Sequence, residues 1–198
     1  KKYNSKLIHI STDEVFGDIL KGRSSEKYPY KPSSPYAASK AAADHLITSY
    51  VRTYNLPIIV TNCSNNYGPN QHKEKFIPTI LRNLVAGNKI PVYGQGTNVR
   101  DWIYVEDHCS AVWKILEEGK EGETYNVGSN CEKTNLEVIE AICEVMNLEP
   151  SSCIEFVKDR AGHDFRYAIN ASKIRSKLSW KPLHTFRKGL VKTISHYE

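Results

Sequence analysis

No apolar run in this sequence approaches the roughly 20 residues of a membrane-spanning helix, and no charged-then-apolar leader opens it. There is no C-x-x-C pair either. The five cysteines (Cys63, Cys109, Cys131, Cys143 and Cys153) are odd in number and well spaced, which argues against a disulfide framework or a zinc site. Reduced thiols in a cytoplasmic, non-secreted protein are the expectation. No two histidines stand at metal-ligand spacing with a carboxylate or thiol partner, so no metal is expected. Basic blocks and aromatic-interleaved basic stripes are lacking, so neither nucleic acid nor a membrane is an expected partner. The net charge of +5, from 27 basic and 22 acidic side chains, suits an anionic small molecule and also ordinary surface solvation. Repeats, low-complexity tracts and long linkers are absent. So is a glycine-rich turn after the first predicted strand, the place where an α/β sheet holds a dinucleotide's pyrophosphate. Gly94-x-Gly96 has no third glycine, lies between two predicted strands, and reads as a hairpin-type turn.

What is present is ordinary globular material. The 198 residues are 40% hydrophobic and 25% charged, which excludes collagen, coiled coil and wholesale disorder. Lys6 to Ile10 reads as a strand that ends in polar Ser11-Thr12-Asp13-Glu14. Ser34 is a good N-cap, with Pro35 at the first helical position, for a helix from Tyr36 to about Tyr54. Leu56 to Thr61 is again apolar and strand-like. Strand, helix, strand in that order implies a parallel, right-handed crossover and therefore an α/β fold. Further strands are predicted at 90–93, 100–105, 124–127 and 154–157. Helices are predicted at 76–86, 106–118, 135–146 (opened by the capping-box spacing Thr134 to Glu137), 171–178 and 185–197.

Two groups of residues can carry chemistry. Tyr36 and Lys40 are four apart, hence on one helix face. An ammonium near a phenol favours the phenolate, so Lys40 is expected to lower the Tyr36 pKa toward neutrality and make it an acid or base for a hydroxyl. Thr12, Asp13 and Glu14 sit at the C-terminal edge of the presumed parallel sheet, where ligands of open α/β sheets bind. A regular strand would send Asp13 to the opposite face from Thr12 and Glu14. They converge only if the chain leaves strand geometry there, and Gly17 permits such a bend.

Read together, Ser11-Thr-Asp-Glu-Val-Phe-Gly-Asp18, Pro35-Tyr-Ala-Ala-Ser-Lys40 and Asn62-Cys-Ser-Asn-Asn-Tyr-Gly-Pro69 resemble the extended short-chain dehydrogenase/reductase family. The Asp13-Glu14 pair is closest to its dTDP-glucose 4,6-dehydratase branch. The likeness continues through Glu74 to Pro78, Pro91 to Tyr93, Arg100 to Asp107 and Asp159 to Asp164, essentially the whole chain. Phe16, where the family more often has tyrosine, is a small departure. The large one is the front of the fold: on βαβ lengths of about 30 residues, at least roughly 90 residues with the Gly-rich turn are expected to be missing.

The resemblance implies a Rossmann-type parallel sheet whose remainder is 1–62. The rest, 63–198, would be mainly a smaller mixed α/β nucleotide-sugar lobe with some elements returning to the sheet. It implies NAD as cofactor, a nucleotide-diphosphate sugar as partner, a homodimer in the complete enzyme and a lyase of deoxysugar biosynthesis. In that chemistry C4 is oxidised with NAD, water is eliminated across C5 and C6, and hydride returns to C6. Tyr36 with Lys40 would be the base at the C4 hydroxyl, Glu14 the base at C5, Asp13 the acid at C6, and Thr12 a hydrogen-bond partner of the C4 oxygen. Asn65 resembles a substrate contact and Asn66 a nicotinamide-side contact beside Tyr36 and Lys40. Lys75, Phe76, Pro91, Val92 and Tyr93 resemble the nucleotide-sugar pocket. Arg100, Asn135 and the loop Asp159, Arg160, Ala161, Gly162 and His163 resemble a clamp on diphosphate and nucleoside. On residue type alone, Arg100 could instead pair with Asp101 or Glu106, and Asn135 could merely open its helix. The alternatives are an epimerase of the same family, whose inversion at C4 needs no acid-base pair at C5 and C6, a decarboxylase of that family, or a non-catalytic nucleotide-sugar-binding fragment. Without the Gly-rich turn, the chain alone is expected to bind NAD negligibly and to be inactive.

Overall fold

The computed structural model describes residues 5–197, so the outermost residues of the segments 1–62 and 63–198 lie outside the described residues. Strand β1 (Leu7–Thr12) gives way at its end to a single 3-10 turn, Asp13–Phe16, and a loop then leads to helix α1 (Pro35–Tyr54). Next come β2 (Ile58–Cys63), β3 (Asn65–Tyr67), α2 (Phe76–Val85), β4 (Ile90–Tyr93), β5 (Val99–Tyr104) and α3 (Val105–Glu118). The chain continues through β6 (Thr124–Val127), β7 (Glu132–Thr134), α4 (Asn135–Val145), the short α5 (Pro150–Cys153), β8 (Ile154–Val157), α6 (Ser172–Leu178) and α7 (Phe186–Tyr197).

The β1–α1–β2 unit is the expected parallel crossover, in register from Leu7 opposite Ile58 to Thr12 opposite Cys63. β6 adds in parallel on the far side of β2, giving the order β1-β2-β6. A second sheet pairs β5 with β3 in parallel and with β7 antiparallel, and β4 pairs with β8. The strands on either side of Gly94-x-Gly96 therefore belong to different sheets, and the hairpin reading of that turn is corrected. The Gly96 N–H closes a local turn on the Tyr93 carbonyl at 3.1 Å, while Gly94 N–H donates to the Val157 carbonyl and the Gly96 carbonyl accepts from Leu136 at 3.1 Å.

Local chemistry explains these elements. Ser34 Oγ accepts the Ala37 amide at 3.1 Å, Pro35 fills the first turn, and Asn55 closes α1 in the left-handed conformation at φ 49°. Its buried face is made of Ala37, Ala41 and Asp44, small side chains that let the helix lie close on β1. Two larger cores form on either side. One joins Ile77, Ile80 and Leu81 of α2, Val138, Ile139 and Ile142 of α4, and Leu190 and Ile194 of α7. The other joins Ile59, Val127, Ala111, Ile115 and Ile174 beneath α3 and α6. No helix among the described residues is long and apolar enough to cross a membrane.

Candidate active site

The departure from strand geometry required at Thr12 is the 3-10 turn. Thr12 caps it with φ −137° and ψ 154°, and its Oγ1 accepts the Glu14 amide at 3.3 Å. Gly17 ends the turn at φ 69°, where a β-carbon would stand 2.1 Å from the Lys31 carbonyl oxygen. By this turn Thr12, Asp13 and Glu14 come to line one cleft of about 270 Å³, together with Tyr36 and Lys40 from α1 and Asn65 and Asn66 from β3. A neighbouring cleft of about 400 Å³ shares Glu14, Asn65 and Lys75 with the first. Its walls include Phe76, Arg100, Asn135, Arg160, Ala161, Gly162 and His163.

Electrostatics separate the two carboxyls. Asp13 is 4% exposed and its Oδ2 has no hydrogen-bond partner. Burial, then the charges of Glu14 and Asp101, push its carboxyl well above the usual range against the pull of Arg100. Glu14 is also raised by burial, but the Arg100 and Lys75 cations oppose the shift. The surroundings thus favour the protonated form of Asp13 more than that of Glu14, whose anion two cations support, and unequal environments of this kind are how one site supplies an acid and a base together.

The phenol behaves otherwise than its spacing to Lys40 predicts. Lys40 Nζ donates to the Ile10 carbonyl at 2.7 Å. The Tyr36 hydroxyl is pushed up by burial and by the nearby charges of Glu14, Cys63 and Asp13. The expected lowering toward neutrality is thus corrected for the protein alone: the lysine is committed to backbone, and the acids dominate the phenol's surroundings.

In the second cleft Arg100 pairs with neither Asp101 nor Glu106. Its Nη1 donates to Val99 O at 2.8 Å and Phe165 O at 3.3 Å, and its Nη2 to Asp164 O at 2.9 Å. The guanidinium also lies 4.3 Å from the Tyr167 ring centre. One Nη2–H and the Nε–H remain for an anionic ligand. Asn135 opens α4, as its residue type allows, and lines the cleft as well. His163 Nδ1 meets Asp159 Oδ1 at 2.7 Å and its Nε2 meets Arg160 Nη2 at 3.1 Å, contacts satisfied together by the Nδ1–H tautomer. Asp159 itself lines neither cleft. It fastens the loop, and its carboxyl is held low by the His163 hydrogen bond and the Arg160 amide.

Pro91, Val92 and Tyr93 also line neither cleft. The Val92 side chain is corrected to a core position, 1% exposed among the α2 and α4 apolar residues. Tyr93 lies under the Arg160 guanidinium, 5.0 Å from ring centre to cation, and so supports a residue of the second cleft. Reading from sequence passed over Ser64, Gln71, Trp102, Asp164 and Tyr167, all on the cleft walls. Ser64 Oγ, Asn66 Oδ1, Gln71 Oε1 and Trp102 Nε1 are buried there without partners. Buried polar atoms are rarely left so in the absence of a ligand or water. Asp164 accepts from Ser33 Oγ and from Tyr167 at 2.6 Å, tying the first loop to the C-terminal segment. Among the described residues no group of three metal-ligating side chains gathers.

Comparison with known proteins places this geometry among relatives. The family model described as GDP-mannose 4,6 dehydratase matches residues 1–193. A dTDP-glucose 4,6-dehydratase of Neisseria gonorrhoeae is 54% identical over 209 aligned positions, covering 100% of this chain and 60% of that protein. The structure of a dTDP-glucose 4,6-dehydratase from Bacillus anthracis in complex with NAD superposes with a TM-score of 0.95 at 49% identity, over 99% of this chain and 63% of that one. A Streptomyces venezuelae dTDP-glucose 4,6-dehydratase with NAD bound also gives 0.95, at 42% identity and over 97% and 59%. The chain thus spans about 60% of the length of the relatives it matches. These neighbours share the Rossmann-type α/β arrangement described above.

Proposed function

The chain belongs to the GDP-mannose 4,6 dehydratase family, and from that premise we propose that it carries the acid-base and sugar-binding part of a dTDP-glucose 4,6-dehydratase, an NAD-dependent lyase. The observation that carries this reading is the convergence of Asp13, Glu14, Tyr36 and Lys40 on one cleft. An epimerase acting only at C4 has no use for an acid and a base side by side, so the Asp13-Glu14 pair favours dehydration.

NAD would supply this chemistry with a hydride acceptor for C4 and a hydride donor for C6. The chain's own residues suit the nicotinamide end of that cofactor. Asn66 Oδ1 and Gln71 Oε1 are buried acceptors without donors, and Tyr36 and Lys40 stand on the same cleft. In this reading Thr12 holds the C4 oxygen, and Tyr36 takes the C4 hydroxyl proton. Glu14 takes the C5 proton; Asp13 gives its proton to the C6 oxygen, which leaves as water. Asn65 contacts the sugar. Lys75, Phe76, Arg100, Asn135 and the 159–163 loop hold the diphosphate and nucleoside, with the two spare Arg100 N–H groups on a phosphate. Pro91 and Tyr93 border this region from behind Arg160.

The segment 1–62 supplies the remainder of the cofactor sheet, and 63–198 mainly the sugar lobe, with β6 returning to β2. Leu7 and Ile10 on edge strand β1 are 48% and 39% exposed, as fits a sheet that further strands complete. A cytoplasmic setting and a homodimer complete the reading; the dimer is supported by Leu46, Tyr50 and Tyr54 of α1 and Trp113 of α3, large apolar side chains left exposed. The test is product formation. The protein extended to the full length of its relatives and supplied with NAD converts dTDP-glucose to dTDP-4-keto-6-deoxyglucose, whereas formation of the C4 epimer alone refutes the assignment.

A further inference from the structure

The chemistry above leaves one buried acid of the phenol-bearing helix unused. Asp44 follows Tyr36 and Lys40 at the same four-residue spacing on α1, so it shares their face, and it is 2% exposed. It stands about 12 Å along the helix axis from Tyr36 and lines neither cleft. Its Oδ2 accepts from Ser11 Oγ at 2.7 Å, Tyr30 Oη at 2.9 Å and Asn62 Nδ2 at 3.4 Å, and its Oδ1 meets His9 Nε2 at 3.0 Å. These contacts lead to the turn that carries the acids. Ser11 directly precedes Thr12, and Asn62 Nδ2 also donates to the Thr12 carbonyl at 3.3 Å. Tyr30 packs edge-on against Phe16, the last residue of the turn, with ring centres 5.3 Å apart. Both ends of Asp13–Phe16 are thus tied to one carboxyl on α1.

We propose that Asp44 is a positioning residue for the elimination step, fixing α1 with Tyr36 and Lys40 against the turn with Asp13 and Glu14. The proposal rests on the functional reading above. The helix needs such a tie, because its buried face is otherwise Ala37 and Ala41. Alanines offer little to interdigitate, and interdigitation is what selects one packed arrangement. Lys40 Nζ holds the Ile10 carbonyl at 2.7 Å, but it stands on the cleft wall, where a ligand competes for it. Asp44 lies out of a ligand's reach. A buried carboxyl that loses donors is costly, so the cluster admits one register of helix and turn. Loosening it frees the turn at both ends while Tyr36 stays on its helix. Oxidation at C4, which uses Tyr36, then outruns the elimination, which uses the turn. In that step C5–H gives its proton to Glu14, the C5–C6 double bond forms, the C6–O bond breaks, and the oxygen leaves as water with the Asp13 proton.

The experiment is a rapid-quench turnover of the protein extended to the length of its relatives, with NAD and dTDP-glucose, the quenched sugars being resolved by mass. In Asp44→Ala, kcat falls about 10–100-fold while KM for dTDP-glucose stays within about twofold. The oxidised but undehydrated 4-keto hexose accumulates above its level in the parent. Asp44→Asn restores most of the rate and the parent's ratio of the two keto sugars. Its amide oxygen still accepts from Ser11 and Tyr30, and its N–H meets the bare Nε2 of the other His9 tautomer. Ser11→Ala combined with Tyr30→Phe removes two donors, leaves α1 unaltered, and raises the same ratio; it stands in if Asp44→Ala does not fold. A smaller folded fraction slows every step alike and leaves the ratio at the parent's value. An unchanged ratio in the folded variants, or an Asn variant no better than Ala, overturns the proposal. The parent is scored separately: absence of the 4-keto-6-deoxy product there overturns the functional reading, whereas product with an unchanged ratio in the variants overturns the role of Asp44 alone.

Discussion

Lys40 and Tyr36 stand one helical turn apart, yet the ammonium of Lys40 reaches back to the Ile10 carbonyl, a contact that no local spacing reveals. The phenol is left to the carboxylates around it. In this chain without ligand, the Tyr36 hydroxyl is therefore expected to ionise above the ordinary tyrosine range, and Lys40→Met is expected to leave that titration nearly unchanged; ultraviolet or carbon-13 tyrosine titration checks both. Glu14 is the residue whose role is sharpest. Glu14→Gln in the extended protein is expected to lower dehydration by about 10²–10⁴-fold, since a positioned base contributes that much, while C4 oxidation survives. Asp101 makes a statement about stability as well. A carboxyl whose folded pKa is raised from 3.8 to about 6 supports the fold fully at pH below about 4 and loses that support as pH rises through about 6. Relative to Asp101→Asn, the parent is expected to lose roughly 2–3 kcal/mol between pH 4 and 7, read as a pH-dependent difference in unfolding midpoints.

At the scale of elements, the long segments were legible because their signals are local. Ser34 and Pro35 mark the start of α1, the Thr134–Glu137 spacing marks α4, and apolar runs mark β1 and β2. β3 and β7 were not, since Asn65-Asn-Tyr67 and Glu132-Lys-Thr134 are three-residue strands without an alternating pattern, formed only because β5 offers them its edges. Val92 was drawn into the site by motif, while the core claimed it through packing with α2 and α4. The network on Asp44 was invisible for the same long-range reason: it accepts from Ser11 at 2.7 Å and Tyr30 at 2.9 Å, and meets His9 at 3.0 Å, all from outside its helix. The 3-10 turn is the element on which the site depends. Gly17→Ala forces a β-carbon onto the Lys31 carbonyl at positive φ and is expected to cost more than about 1 kcal/mol in chemical denaturation. Thr134→Ala removes a capping hydrogen bond distant from Thr12 and is expected to cost about 1 kcal/mol without altering Asp13 or Glu14.

For the whole molecule, the α/β class, the parallel crossover and the gathering of the two acids with the phenol could be read from one strand end, one helix and a bend at Gly17. The division of labour between two clefts could not, because it depends on the 159–164 loop folding back over β4 and the first loop. Assembly belongs to this scale. With Leu46, Tyr50, Tyr54 and Trp113 exposed on α1 and α3, the extended protein is expected to sediment as a dimer, and the pair Leu46→Glu with Trp113→Glu to shift it to monomer. Calorimetry on the 198-residue chain alone is expected to show negligible NAD affinity, since the sequence contains no Gly-rich pyrophosphate turn. The central claim, that Asp13 and Glu14 act as acid and base on one hexose, is tested most directly by isotope. The extended protein, given NAD and dTDP-glucose in deuterated water, is predicted to yield a 4-keto-6-deoxy sugar carrying one solvent deuteron at C5, with none incorporated by Glu14→Gln. A product that retains its C5 hydrogen, or undiminished deuterium uptake by the Gln variant, would contradict it.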